Sequence, residues 1–243
     1  MSLLDTWTRG THSHDGTTHD TYRKGSGPGA IVIHELPGLT AEVIAFAEEV
    51  VAAGYTVVLP HLFGTPVASP GPVTSVRALR RVCISAEFTK LATGVTAPVA
   101  NWLRSLARDL HAELGGPGVG ALGMCFTGGF ALAMMVDDAV VAPVLAQPAV
   151  PFPLGRRRAA DLNLSPEDLA AVKDRADAGC PVLGLRFTSD RAVGTRFETL
   201  TRELGTAFIP MDFEGRGHST LTLHRRQEAV DAVLAFFAAR LQT

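Results

Sequence analysis

The 243-residue chain predicts an α/β fold, a mostly parallel central sheet covered by helices on both faces. Three observations predict it. Short apolar runs rich in β-branched residues recur along the chain. Segments with helical patterning separate them. Hydrophobic residues make up 47% of the sequence, enough for a core on each side of a sheet. There is no internal repeat and no interdomain linker, so residues 1–243 are expected to form one domain, with 1–28 as an N-terminal hairpin or edge strand turning at Gly16.

The elements follow in order. Ala30-Ile31-Val32-Ile33-His34 reads as a buried strand ending at the Glu35–Gly38 turn. Thr40 caps a helix running to about Ala53, which Gly54 closes. Tyr55–Leu59 is the next strand, stopped by Pro60, and the Pro- and Gly-rich stretch from His61 to Pro72 reads as a loop. Val73–Leu91 and Pro98–Leu114 are expected to be helical. Val119–Met124 is a strand that feeds directly into Cys125, with a helix over Gly128–Val136. Ala139–Val144 and Pro181–Thr188 are further strands, and Ser165-Pro166 opens a helix between them. Thr206–Phe213 is a late strand, and Ser219–Arg240 is a long C-terminal helix.

Composition excludes several classes of function. Twenty-two basic residues against 24 acidic ones leave no basic excess for nucleic acid or an anionic membrane. No apolar run is long enough to span a bilayer; the best, Ala139–Leu154, is broken by four prolines. The N-terminus does not pattern as a secretory signal, so a soluble cytoplasmic protein is expected. Cys83, Cys125 and Cys180 are odd in number and widely spaced, with no CxxC pair, so free thiols are expected and a structural zinc site is not.

Gly123-Met124-Cys125-Phe126-Thr127-Gly128-Gly129 is the most informative segment. It has the form of a nucleophile elbow between a strand and a helix, usually written G-x-S-x-G. Small residues are needed there because the turn is strained and closely packed. Thr127 stands where the second glycine would be. Cysteine suits the position, since a helix N-terminus favours the thiolate over the thiol. The alternative is a structural cysteine at a tight turn.

A thiol nucleophile needs a base, and the base needs an orienting group. Asp190 follows the strand Pro181–Thr188, and His218 follows the strand Thr206–Phe213 within Gly217-His218-Ser219. The chain order Cys125, Asp190, His218 is that of the nucleophile, acid and histidine of α/β-hydrolases. His34 and His61 precede the nucleophile, and His111 and His224 fall in expected helices. Asp190 can equally cap a helix starting there.

Together these segments, with Ile33-His34-Glu35-Leu36-Pro37-Gly38-Leu39, resemble the dienelactone hydrolase family over most of the chain. The resemblance implies an α/β-hydrolase fold, a Cys125–Asp190–His218 triad, and a Glu35 that holds or accepts the thiol proton. It further implies an oxyanion hole from the backbone N–H groups of Leu36 and Phe126. The implied activity is hydrolysis of a small ester or lactone through a cysteine acyl-enzyme, without a cofactor or metal. A thioesterase or acyl transferase, or a catalytically weak binding protein, are the alternatives. Family members that cleave dienelactone carry an arginine shortly after the histidine to bind the substrate carboxylate. Here Ser219-Thr220-Leu221-Thr222 follows, which leaves Arg81, or Arg80, to bind an anion from the other side. His61 also stands where the family commonly has an acidic residue.

Other clusters read as ordinary surface or core. His12, His14, Asp15, His19 and Asp20 have no recognised metal spacing, Arg156-Arg157-Arg158 reads as a solvated loop face, and Phe236-Phe237 as helix core.

Overall fold

The computed structural model describes residues 2–67, 88 and 92–242. Apart from Phe88, the helix expected over Val73–Leu91 lies outside the described residues, as do Arg80, Arg81 and Cys83.

Eight strands form one sheet: β1 (Thr8–His14), β2 (Thr17–Lys24), β3 (Gly29–Ile33), β4 (Thr56–His61), β5 (Val119–Met124), β6 (Val140–Ala146), β7 (Val182–Phe187) and β8 (Phe208–Phe213). Their order across the sheet is β1-β2-β4-β3-β5-β6-β7-β8. The β1–β2 hairpin joins antiparallel at one edge, and every pair from β4 to β8 is parallel. The described helices are α1 (Ala41–Ala52), α2 (Val99–Leu114), α3 (Gly128–Met134), α4 (Arg156–Ala160), α5 (Pro166–Asp177), α6 (Arg196–Leu204) and α7 (Gln227–Leu241). None is long and apolar enough to cross a membrane.

The period-two alternation of the buried strands feeds two cores. Ile31 and Ile33 point into one, with Trp102 of α2, Leu132 of α3, Val172 of α5 and Leu200 of α6. Ala30 and Val32 point into the other, with Phe46 of α1 and Val233 and Phe237 of α7. Helices therefore cover both faces, as the sequence predicts.

Several boundaries differ from expectation for local reasons. β4 continues through Pro60 instead of stopping there. Its pairing with β3 ends at Val58, so beyond that residue only β2 is a neighbour and a missing N–H is tolerated. Arg156–Ala160 is a short helix rather than an irregular loop. The helix after Asp190 starts at Arg196; Asp190 Oδ1 instead accepts the Ala192 N–H at 3.0 Å, in a turn. α7 begins at Gln227, eight residues later than Ser219 (227 − 219), because the Ser219, Thr220 and Thr222 hydroxyls are committed to partners elsewhere and hold that stretch in turns. His224 therefore lies in a turn, not in the helix, and its Nδ1 accepts the His218 N–H at 3.3 Å.

Candidate active site

The site sits beyond the carboxyl ends of the parallel strands, where each chain segment leaves the sheet. β5 delivers Cys125 at φ +53°, a left-handed conformation that strains any residue with a Cβ. A 3₁₀ turn over Cys125–Thr127 and then α3 follow at once. A Cβ on Gly123 would lie 2.1 Å from the Thr127 carbonyl oxygen, and one on Gly128 would lie 2.7 Å from Pro148 Cα, so both positions require glycine. Thr127 is accommodated because it is useful. Its Oγ1 accepts the Met124 N–H at 3.0 Å and faces the carbonyls of Ile33 and His34, each at 3.2 Å. The elbow is thereby tied to the end of β3.

From that same end comes Glu35, which is buried. Its Oε2 accepts from Ser219 Oγ at 2.8 Å, with Gln147 Nε2 at 3.5 Å, and its Oε1 accepts from Thr222 Oγ1. The preceding residue anchors the loop. His34 is fully buried, donates from Nδ1 to the Glu35 carbonyl (3.1 Å) and accepts the Leu62 N–H at Nε2 (3.1 Å). Burial, with the neighbouring His61 and His19, pushes its pKa down to about 3, so it stays neutral.

The turn after β7 carries Asp190, and the loop after β8 carries His218. His218 Nδ1 lies 2.6 Å from Asp190 Oδ2. Its imidazole also lies within 4.8 Å of the Cys125 sulfur. Burial lowers the His218 pKa, but the hydrogen bond to Asp190 and the electrostatic pull of Asp190 and the neighbouring Cys125 outweigh it and raise the value to about 11. The ligating atoms of Glu35, Cys125 and His218 all lie within 4.8 Å of one another. Leu36 directly follows Glu35 and Phe126 directly follows Cys125, so their N–H groups belong to the same two turns. Four segments that are remote in sequence thus converge, as chain order suggested. Arg81 lies outside the described residues.

Sequence reasoning missed the residues that hold this arrangement. Gln147, fully buried at φ +37° just past β6, accepts from Thr220 N (3.2 Å) and Thr220 Oγ1 (2.8 Å). The available signal was a lone amide at the end of an apolar run, before Pro148. Arg196, also buried, donates to the carbonyls of Ala192 (3.2 Å), Val193 (2.7 Å), Arg158 (3.0 Å) and Pro151. Burial lowers its pKa to about 10. It braces the loop after Asp190 against the Pro-rich loop that follows Gln147. The N-terminal histidines do not converge on a centre: His12 packs edge-on against Trp102 and bonds Ser105 Oγ, while His14 faces Asp15.

Residues 17–234 match the model of the dienelactone hydrolase family. Solved structures share the fold. A dienelactone hydrolase from Anabaena variabilis is 17% identical with a TM-score of 0.65, covering 97% of this chain and 98% of its own. A cold-adapted esterase from an Arctic intertidal metagenomic library is 18% identical with a TM-score of 0.64, covering 96% and 93%. A dienelactone hydrolase-like promiscuous phosphotriesterase from metagenomic libraries is 14% identical with a TM-score of 0.68, covering 97% and 98%. No curated protein sequence matches the chain.

Proposed function

Because the chain belongs to the dienelactone hydrolase family, we propose that it hydrolyses a small carboxylic ester or lactone through a Cys125 acyl-enzyme. The observation that carries this reading is the convergence of three remote segments: Asp190 Oδ2 lies 2.6 Å from His218 Nδ1, and the His218 ring lies within 4.8 Å of the Cys125 sulfur. An imidazole held by Asp190 and placed beside Cys125 is positioned to take the thiol proton and carry the resulting positive charge.

In this mechanism the Cys125 thiolate attacks the ester carbonyl carbon. The N–H groups of Leu36 and Phe126 receive the developing oxyanion. Collapse of the tetrahedral intermediate breaks the C–O bond, and the His218 imidazolium protonates the leaving alkoxide. Water, deprotonated by the now neutral His218, then attacks the thioester, releasing the acid and restoring the thiolate and imidazolium. Asp190 holds the imidazole tautomer and offsets its charge. Glu35 opposes the thiolate in the resting site by its own negative charge and, as substrate excludes water, relays the thiol proton to His218, so that thiolate and imidazolium form together.

A substrate carboxylate would have to be met by a group other than the residues that directly follow His218. After His218, where dienelactone-cleaving relatives carry an arginine, Ser219 and Thr222 instead spend their hydroxyls on Glu35. Turnover of p-nitrophenyl acetate at low enzyme concentration tests the proposal. Activity should vanish in Cys125→Ala and after alkylation of Cys125, and mass spectrometry should place a trapped acyl group on Cys125. Full turnover by Cys125→Ala would remove the reading.

A further inference from the structure

We propose that Cys125, His218 and Glu35 form a three-ligand site for a borderline-soft divalent cation, Zn²⁺ above all, and that its occupancy silences the thiol. The three side chains come from different strand ends, yet their ligating atoms lie within 4.8 Å of one another, and this is the sole such triplet among the described residues. Zinc–ligand bonds of about 2.0–2.3 Å imply ligand separations of roughly 3.3–3.7 Å in a tetrahedral site. Small side-chain rotations therefore close the triplet on one ion.

The donor set selects the metal. Thiolate, imidazole and carboxylate together suit zinc, whereas magnesium and calcium prefer oxygen alone. Three protein ligands leave the fourth position to water, the arrangement of an open zinc site.

Partners behind the ligands strengthen the case, since bound metals depend on groups that orient their ligands. The second nitrogen of His218, Nδ1, is already held by Asp190 at 2.6 Å, which directs Nε2 to act as the ligand. Glu35 is fixed through Ser219, at 2.8 Å, and Thr222, and Oε1, which accepts from Thr222, keeps a further lone pair. Proton balance is simple: binding releases one proton, from the thiol if the Cys125–His218 pair is neutral or from the imidazolium if it is charged. No bond is made or broken in the protein. The sulfur lone pair that would attack an ester is instead donated to the metal, so zinc acts as a reversible inhibitor.

The site does not depend on the hydrolytic reading, and its test is chosen accordingly. Tag-free protein stripped of metal is dialysed against Zn²⁺ and its metal content measured. Co²⁺ is then added in a parallel series to read the near-ultraviolet thiolate-to-metal absorption. One zinc per chain at sub-micromolar affinity is expected, with a cobalt–thiolate band that zinc displaces. Cys125→Ala should lose both the band and the stoichiometric zinc. Glu35→Gln should bind at least tenfold more weakly, and Asp190→Asn about 10–100-fold more weakly, the usual cost of losing the partner of a ligand. Circular dichroism establishes that each variant is folded, and Ser219→Ala serves in place of Asp190→Asn if that variant is not. Absence of stoichiometric binding would overturn the proposal, as would equal affinity in Cys125→Ala or in Glu35→Gln, or Mg²⁺ binding as tightly as Zn²⁺. A chain that binds zinc in this way but turns over no ester keeps the metal site and loses the hydrolase reading. The reverse result does the opposite.

Discussion

Replacing Gln147 with leucine tests whether a residue remote from the chemistry holds the site together. The side chain is fully buried and its Oε1 accepts two hydrogen bonds from Thr220, at 3.2 Å from N and 2.8 Å from Oγ1. Leucine is similar in volume and bears the same backbone strain at φ +37°, so packing and strain largely cancel. What remains is two buried donors without acceptors, each costing about 1–3 kcal/mol, and a contact to Glu35 at 3.5 Å that contributes little. We expect about 2–4 kcal/mol of destabilisation, read as a lower denaturant midpoint at unchanged slope. Thr220 is two residues from His218, so its displacement should also lower kcat for p-nitrophenyl acetate by about 10-fold or more. A loss under about 0.5 kcal/mol, the scale of an inert substitution, together with wild-type kcat, would refute the reasoning.

Other expected outcomes concern the titrating groups. Glu35→Gln keeps size and hydrogen bonding but cannot accept a proton, so kcat should fall about 10²-fold and the pH profile of Cys125 alkylation should change; wild-type behaviour in both would make Glu35 structural. The folded His218 pKa, about 11 against 6.5, means that the stabilisation it lends is complete below about pH 6.5 and is lost as pH rises through about 11. Wild type should therefore lose more stability than Asp190→Asn between neutrality and about pH 11 in parallel denaturant titrations, and equal slopes would contradict the assigned pair. Cys180 is buried and its thiol is pushed up by that burial, so iodoacetamide at neutral pH should label Cys125 first, as peptide mapping will show. Cys125→Ser should retain only weak turnover, because a hydroxyl is far less acidic than the thiol the site is built around.

Much of this was legible in the sequence, and the division has a physical basis. Strand-forming apolar runs followed by a nucleophilic, acidic or imidazole side chain marked Cys125, Asp190 and His218, because a parallel sheet gathers those ends, whereas Glu35 stood out only through the family resemblance. Chain order then ranked the histidines. The same rule, applied to Val144-Leu145-Ala146-Gln147, would have found Gln147, but an amide carries no chemistry of its own to attract notice. Ser219, Thr220 and Thr222 fall in the helix that the sequence predicts from Ser219 to Arg240. What breaks that helix is a set of hydrogen bonds to Glu35 and Gln147, and no local pattern reveals partners 73 or 184 residues away. Arg196 likewise reads as a surface arginine until the carbonyls that surround it are known.

The hydroxyl of Thr127 has a consequence for how this site can change over evolutionary time. Through it, the turn bearing Cys125 and the turn bearing Glu35 share one hydrogen-bonded junction with the backbone of β3 and β5. The gap between thiol and carboxylate is therefore set by neighbouring strands in the rigid middle of the sheet, whereas Asp190 and His218 ride on loops at its flank. Substitutions that lengthen or reshape those outer loops can move Asp190 and His218 while Cys125 and Glu35 keep their separation. Restoring glycine at position 127 would remove that constraint and let the two turns drift independently.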